Sequence, residues 1–501
     1  MPGKRFYITT ALPYVNAPPH VGHALEFVQT DVLARHQRLR GREVRFLSGT
    51  DDNALKNVQS AEAAGMAVAD FVRVNAQRFA DLHDGLDLSN DDFIRTASDP
   101  RHRPGVEAIW RACADAGDVY TKSYQGLYCV GCEQFYLPSE LVDGKCPEHL
   151  TVPTLVSEEN YFFRLSRYQD ALHDAISRDV LQILPSTRKN EILRFIEGGL
   201  DDFSISRSAE RARGWGIPVP GDPAQIMYVW FDALGNYISA LGYGGSDESL
   251  YKRFWLENEE RVHVIGKGIL RFHAVYWPAM LLSAKQPPPR RILVHDYLTV
   301  DGQKISKSLG NTADPFELAA RYGKDALRWW MLREVPQTGD ADFSVARLIA
   351  RANEDLANDL GNLLHRTMAM LVRYRGGALP AEGPWDPDAA KLERELPTVG
   401  ARIDECLADF DFRGALEAVW SLVSEANKFI ERRKPWELYK AEQAGGSRAA
   451  LDAVFHSLYA TLRAVARELA PFIPGAASEM SARLARAATP GEKPLFARIE
   501  S

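Results

Sequence analysis

Two short basic strings, His20-Val-Gly-His23 and Lys304-Ile-Ser-Lys-Ser308, stand about 280 residues apart and constrain this chain more than any other feature. The first follows the β-prone run Phe6-Tyr7-Ile8-Thr9-Thr10 and Pro18-Pro19, and it opens a stretch, residues 24–40, whose apolar spacing reads as a helix. A strand, a loop and a helix N-terminus in that order leave unpaired amides and the positive end of a helix dipole facing an anion, and Gly22 lets that anion approach the backbone. The second string follows Ile292-Leu-Val-His-Asp-Tyr-Leu298 and the turn at Asp301-Gly302, so it offers Lys304, Ser306, Lys307 and Ser308 from a loop. Taken alone, a histidine pair at a helix start is an ordinary cap and a lysine-serine string is an ordinary solvated loop. Their order and separation fit a phosphate site built from two distant parts of one chain.

A length of 501 residues exceeds what one hydrophobic core organises, so about two to four domains are expected. Strand and helix signals alternate up to about residue 115, with strands at 6–10 and 44–49 and helices at 24–40 and 67–82. This is the pattern of an open parallel sheet, in which ligands sit beyond the carboxyl ends of the strands. His20 and Thr50-Asp51-Asp52 follow two such ends. The pattern lapses near Tyr120 and resumes near Ile226, through Arg261-Val-His-Val-Ile265 and a helix at 269–282. An interrupted sheet is the natural reading, because an insertion adds little loop-closure entropy once its ends are held together. Beyond Val345 long amphipathic helices take over, broken at Gly376-Gly377, Pro380, Pro384 and Gly445-Gly446-Ser447, which predicts a separate helical domain.

No apolar run reaches membrane-spanning length, and the chain enters a strand with no leader pattern, so a cytosolic protein with no membrane association is expected. The net charge of -7 argues against indiscriminate nucleic-acid binding but leaves room for a local basic surface.

Of the five cysteines, Cys113 and Cys406 stand alone in helical segments and read as small buried hydrophobes. The other three, Cys129, Cys132 and Cys146, join His149 in two pairs of two-residue spacing, Cys129-Val-Gly-Cys132 and Cys146-Pro-Glu-His149. Each pair can grip one tetrahedral ion, with thirteen residues closing a hairpin between them. Three thiolates and an imidazole favour zinc and leave no position open to substrate, so the role is structural, with a disulfide or free thiols as the alternative.

Asp52 is placed to receive an ammonium at a strand end, or else Asp51 and Asp52 cap the next helix. Trp230 and Tyr237 stand seven positions apart, close to two helical turns, and can reach one cavity or serve as core. Farther on, Asn358, Asn362 and Arg366 recur every fourth residue beside a stripe of Leu356, Leu360, Leu363 and Leu364, so the polar triplet shares one side of a helix.

With both basic strings and the knuckle in place, the chain resembles the class I aminoacyl-tRNA synthetases, and the surrounding residues resemble the single-zinc-knuckle form of the methionyl-tRNA synthetase family. The resemblance runs from Ala11-Leu12-Pro13-Tyr14-Val15-Asn16 through Gly126-Leu-Tyr-Cys-Val-Gly-Cys-Glu133 and Tyr228-Val-Trp230-Phe-Asp-Ala233-Leu-Gly-Asn-Tyr237 to Asn358-Asp-Leu-Gly-Asn-Leu-Leu-His-Arg366 and Lys434-Pro435-Trp436. It implies an α/β fold: an interrupted, doubly wound Rossmann-type catalytic domain, a zinc-knuckle insertion and an α-helical bundle for the anticodon. The implied divisions are 1–115 and 226–290 for the catalytic halves, 116–225 for the insertion, 291–345 for the region of the second basic string, and 346–501 for the anticodon domain.

The implied activity is ATP-dependent ligation of L-methionine to tRNA(Met) through a methionyl-adenylate. His20, His23, Lys304 and Lys307 would carry the chemistry, with Gly22, Ser306 and Ser308 also at ATP, and Lys307 would have the larger transition-state role. Leu12, Tyr14, Asp52, Trp230, Ala233, Leu234, Tyr237, Ile269 and His273 would form the methionine pocket. Asn358, Asn362, Arg366, Pro435 and Trp436 would read a CAU anticodon, in keeping with amides reading base edges and an indole stacking on an unpaired base. One structural zinc, magnesium accompanying ATP and a monomeric state are also implied.

Three departures from the family pattern stand out. Val21 replaces another apolar residue in the first string. Asn53 stands where a histidine is common, and Gly268 where an aspartate is common near the adenosine ribose. They keep a specialised or weakened paralogue open as an alternative. A noncatalytic tRNA-binding protein is a further alternative, against which His20, His23, Lys304 and Lys307 argue, since binding alone would not require both basic strings. A related enzyme for cysteine is disfavoured, since its zinc would contact substrate.

Overall fold

A computed structural model describes residues 5–131, 134–147, 150–300, 302–304 and 313–500, with the side chains of Tyr124, Gln134, Gln303 and Lys304 left outside the description. The chain divides into two compact units, one of residues 1–19, 37–83 and 89–295, the other of residues 20–36, 84–88 and 296–501.

The first unit is built on a six-stranded sheet. Its first three strands are β1 (Arg5–Thr10), β2 (Glu43–Thr50) and β3 (Asp92–Arg95). Next come β4 (Val119–Cys129), β5 (Gln134–Tyr136), β6 (Thr154–Phe163), β7 (Gln182–Leu184), β8 (Phe203–Ser204), β9 (Ser206–Ser208), β10 (Pro218–Val219) and β11 (Asp222–Met227). The unit's last strands are β12 (Arg261–Gly266) and β13 (Arg291–His295). In the large sheet the order is β3-β2-β1-β12-β13-β7 and every pair is parallel. Phe6, Tyr7 and Ile8 of β1 and Val262, Val264 and Ile265 of β12 are buried, as strands covered on both faces require. Strand order reverses between β1 and β12, and at such a switch point ligands settle beyond the strand ends.

The insertion is anchored differently from the sequence reading. The long antiparallel ribbon of β4 and β6, flanked by β5 and β8, does stand apart as a second sheet. Yet β7, from the middle of residues 116–225, pairs with β13 and forms an edge of the parallel sheet. Three residues are too few to display a period, so this strand left no signal in the sequence.

The second unit holds residues 21–36 of the helix Val21–Leu39 and a small sheet of β14 (Leu298–Val300), β15 (Gln303–Lys304) and β16 (Ala341–Phe343). Helices follow, chiefly Val345–Arg351, Asn362–Arg375, Phe412–Arg433, Pro435–Gln443, Ala449–Leu469 and Pro474–Leu484. Gly376 ends one of them in the left-handed conformation at φ 62°, and a Cβ on Gly377 would lie 2.2 Å from the Ala488 carbonyl oxygen, so the expected break at this glycine pair is sterically enforced. Asp31, on the first helix, and Arg328 are both fully buried and pair at 2.7 Å, while Arg328 also donates to the carbonyls of Leu86, Pro471 and Phe472. Such a pair holds its helices in one arrangement, since removing either partner leaves a buried charge uncompensated.

Candidate active site

In the first unit, the segments leaving β1 and β2 run side by side, with Tyr14 bridged to Asp51 and the Asp51 amide donating to the Pro13 carbonyl at 2.9 Å. Asp52 is thereby buried, its Oδ1 accepting from the Thr50 hydroxyl at 2.7 Å and its amide donating to Thr96 Oγ1 at 2.8 Å. Its Oδ2 faces Arg95 Nε at 3.5 Å as an ion pair and is left without a closer hydrogen-bond partner among the described residues. Burial pushes the carboxyl up to about 6, against the opposing pull of Thr50 and Arg95. Neither aspartate caps the helix Leu55–Ala63, whose N-cap is Ala54 with no side-chain bond, so the capping alternative fails.

Aromatic walls flank this carboxylate's unit. Trp230, Ala233 and Leu234 are buried in the helix Val229–Leu234, and Tyr237 follows in a further helical turn, Asn236–Ser239. Trp230 stacks on Phe272 with ring centres 3.9 Å apart and 4° between planes, and meets Tyr14 edge-on at 6.3 Å. The Trp230 indole N–H is buried with no acceptor. Leu12 and Ile269 are half-buried and join the same hydrophobic cluster. His273 Nδ1 is 2.9 Å from the Ile269 carbonyl, which can only accept, so that nitrogen carries the proton and Nε2 accepts the Tyr237 hydroxyl at 2.7 Å. Burial lowers His273 to about 4, keeping it neutral. Below it His263 takes an N–H from Trp277 and therefore donates from Nδ1 to Thr9, and burial lowers its pKa, so Tyr237 and His273 rest on a neutral hydrogen-bonded layer.

Asn53, at one of the departures, is not a vacancy in this network: its Nδ2 donates to buried Asp232 at 2.7 Å. Gly268 sits exposed in the turn Lys267–Ile269 after β12 and contributes no side chain there.

In the second unit the helix Val21–Leu39 opens as predicted. The His20 carbonyl accepts from the amides of His23 and Ala24, and the His20 amide donates back to His23 Nδ1 at 3.2 Å, a reciprocal cap. Gly22 donates to His20 Nδ1 at 3.1 Å. Both imidazoles thus use Nδ1 as acceptor and keep the proton on Nε2, with the rings stacked at 3.8 Å. Burial lowers His20 to about 4. The Val21 amide donates to the Ala313 carbonyl at 2.9 Å, which ties the histidine string to a residue five positions after Ser308. Ser306, Lys307 and Ser308 lie outside the described residues, and of Lys304 only the backbone in β15 is described.

The same holds for half of the knuckle, Cys132 and His149. Cys129 and Cys146 are buried in one small cluster with Tyr136, and neither forms a disulfide. Among the described residues no group of three or more metal-ligating side chains occurs.

In the helical part, Asn358, Asn362 and Arg366 border one shallow groove together with Asp359, Asn427, Lys428, Glu431 and Arg432. Asn358 and Asn362 are exposed, whereas Leu356, Leu360, Leu363 and Leu364 are buried behind them. Arg366 pairs with Glu431 at 2.7 Å. Asn358 belongs to a π-helical stretch, Ala352–Gly361, which a reading at 3.6 residues per turn does not anticipate. Lys434, at φ 47°, turns the chain so that Pro435 is buried and Trp436 half-buried at the next helix start. Asn427, Lys428, Glu431 and Arg432 went unnoticed because charged residues at helical spacing ordinarily mark a solvated face.

With this geometry established, comparisons with known proteins agree in one direction. A profile described as tRNA synthetases class I (M) matches residues 6–152 and 149–368, and one for the anticodon binding domain of methionyl tRNA ligase matches residues 379–494. The methionine–tRNA ligase of Brucella suis biovar 1 is 42% identical over 507 residues, covering 100% of this chain and 95% of that one. That of Caldanaerobacter subterraneus subsp. tengcongensis is 42% identical over 484 residues, covering 96% and 74%. The crystal structure of Mycobacterium tuberculosis methionyl-tRNA synthetase bound by methionyl-adenylate aligns with a TM-score of 0.91 at 39% identity, covering 99% of this chain and 100% of that chain.

Proposed function

Because the chain belongs to the class I methionyl-tRNA synthetase family, we propose how its residues divide the work of that reaction. The enzyme joins methionine to tRNA in an ATP-dependent reaction that passes through a methionyl-adenylate.

Asp52 receives the methionine ammonium on Oδ2, which among the described residues has only the ion pair with Arg95 at 3.5 Å, and this buried carboxylate oxygen is the observation that carries the assignment. Tyr14, Trp230 and Tyr237 line the cavity for the thioether with Leu12, Ala233, Leu234, Ile269 and His273, and the bond from Tyr237 to His273 orients the phenol. In the first step the methionine carboxylate attacks the α-phosphorus and pyrophosphate leaves. That nucleophile is already ionised near neutral pH, so catalysis consists of positioning and charge stabilisation rather than proton removal. His20 and His23 serve as neutral Nε2–H donors to phosphate oxygens, a role for which their Nδ1 acceptor bonds select the tautomer. Lys304 and Lys307, with Ser306 and Ser308 beside them, offset charge on the departing pyrophosphate.

Magnesium would enter with ATP, bridging its phosphate oxygens as is usual for this ion. Zinc fits the donors that are described: Cys129 and Cys146 supply soft sulfur from one buried cluster, and Cys132 and His149 would complete a closed tetrahedron. It would stabilise the insertion and take no part in catalysis.

The groove of Asn358, Asn362 and Arg366, with Pro435 and Trp436 beyond it, would bind the CAU anticodon of tRNA(Met). Amide pairs match base edges and the half-buried indole offers a stacking face. No described helix is long and apolar enough to cross a membrane. A monomeric, cytoplasmic enzyme is part of the same proposal and follows from the family resemblance alone. ATP–pyrophosphate exchange assayed against each amino acid tests the pocket. Exchange should depend on methionine, and equal exchange with leucine or cysteine would overturn the assignment.

A further inference from the structure

One buried polar chain lies behind the amino-acid pocket and joins two of its walls. Asn53 directly follows Asp52, and its Nδ2 donates to Asp232 Oδ2 at 2.7 Å. Asp232 belongs to the helix Val229–Leu234, which also carries Trp230, Ala233 and Leu234, and only 1% of it is exposed. Its other oxygen is 2.6 Å from His102 Nε2, and His102 Nδ1 is 3.0 Å from the Ser239 hydroxyl. His102 is fully buried as well. A carboxylate so removed from water needs donors on both oxygens, and Asn53 supplies one of them from the segment that leaves β2.

We propose that Asn53 is a positioning residue for methionine selection, its amide N–H fixing the span between the ammonium acceptor Asp52 and the aromatic wall on the helix of Asp232. The inference rests on the assignment of Asp52 and Trp230 to the methionine pocket. Consecutive Cα atoms are only about 3.8 Å apart, so a bond made by Asn53 leaves the Asp52 backbone little slack. Methionine bridges the two walls, with its ammonium at one and its thioether at the other. A change in their separation therefore weakens methionine without touching ATP, and misplacement on the order of 1 Å suffices to cost about 100-fold in a reacting geometry. The backbone is fixed on its other sides too. The Asn53 amide donates to Asp51 Oδ1 at 3.2 Å, and Trp215 Nε1 donates to the Asp52 carbonyl at 2.9 Å. What the side chain of Asn53 adds is the link to the helix.

The test is ATP–pyrophosphate exchange with the full chain, measuring KM for methionine and for ATP separately in N53A, N53D and the reciprocal double variant N53D/D232N. Aspartate has the shape of asparagine but no N–H and, when ionised, no donor at all, and it would set two carboxylates against each other. The expected order for methionine KM is wild type, then N53A at about tenfold higher, then N53D higher still, with ATP KM within about twofold throughout. N53D/D232N exchanges donor and acceptor, and recovery to within about threefold of wild type is expected. If Asn53 only fills space, N53D will behave as wild type, and that result overturns the proposal. So does a double variant no better than N53D. D52A measured alongside separates the two levels, because an unchanged methionine KM there refutes the pocket assignment itself.

Discussion

If Asp52 receives the methionine ammonium as proposed, methionine binding should depend on pH in a window that can be worked out from the surroundings of this carboxyl. Burial raises its carboxyl to about 6, and only the ionised form can hold an ammonium. The sign follows: above pH 6 the site is ready, and below it a proton competes with the substrate. With that midpoint the group is about nine-tenths ionised at pH 7 and about one-tenth at pH 5, so apparent methionine affinity should fall about tenfold between them, about 1.4 kcal/mol. His20 and His273, both lowered to about 4, stay neutral across this window and do not obscure it. Titration calorimetry at pH 6 in buffers of different ionisation enthalpy should register release of about half a proton per methionine bound. D52A should raise the methionine KM by roughly 10- to 150-fold, as loss of a charged hydrogen bond of about 1.5–3 kcal/mol implies, and should flatten the pH profile. An unaltered profile in D52A, or an effect confined to ATP, would refute the reasoning.

Other consequences follow from the remaining assignments. Elemental analysis should find about one zinc per chain, with the signal reduced in C146A, and damage to the insertion's folding should precede any change in amino-acid choice. Full zinc occupancy in C146A would remove the ligand set. K307A should slow single-turnover activation by at least about 100-fold, roughly 2.7 kcal/mol, at saturating ATP and methionine, with methionine affinity changed much less. A wild-type rate would end that role.

Much of this was legible because certain local signals have a single physical meaning. His20 and His23 flank the first turn of a helix, and the expected opening at residues 24–40 differs from the observed Val21–Leu39 only in that first turn, where the cap itself lies. The seven-residue spacing of Trp230 and Tyr237 does become two successive helical turns. The state of Asp52 was not legible. Its burial depends on Thr96, Arg95 and Trp215, which come from other elements, and no local pattern reveals that convergence. The Asn53–Asp232–His102 chain joins three elements, the segment that leaves β2 and two separate helices, and β7 was too short to carry a period. Asn427 and Arg432 look like any solvated helix face until they are seen beside Asn362.

The central claim is that one chain selects methionine in the pocket of its first unit and reads tRNA on the helices of its second. Measuring both half-reactions on the same preparations of wild type and W436A tests this most directly. W436A should retain methionine-dependent ATP–pyrophosphate exchange while losing about 1 to 3 kcal/mol in charging a transcript with a CAU anticodon, the worth of one stacked base. The wild type should charge that transcript far better than one with an altered anticodon. Normal charging by W436A, or equal charging of both transcripts by the wild type, would contradict the account, and adenylate formation with neither transcript charged would point instead to a specialised paralogue.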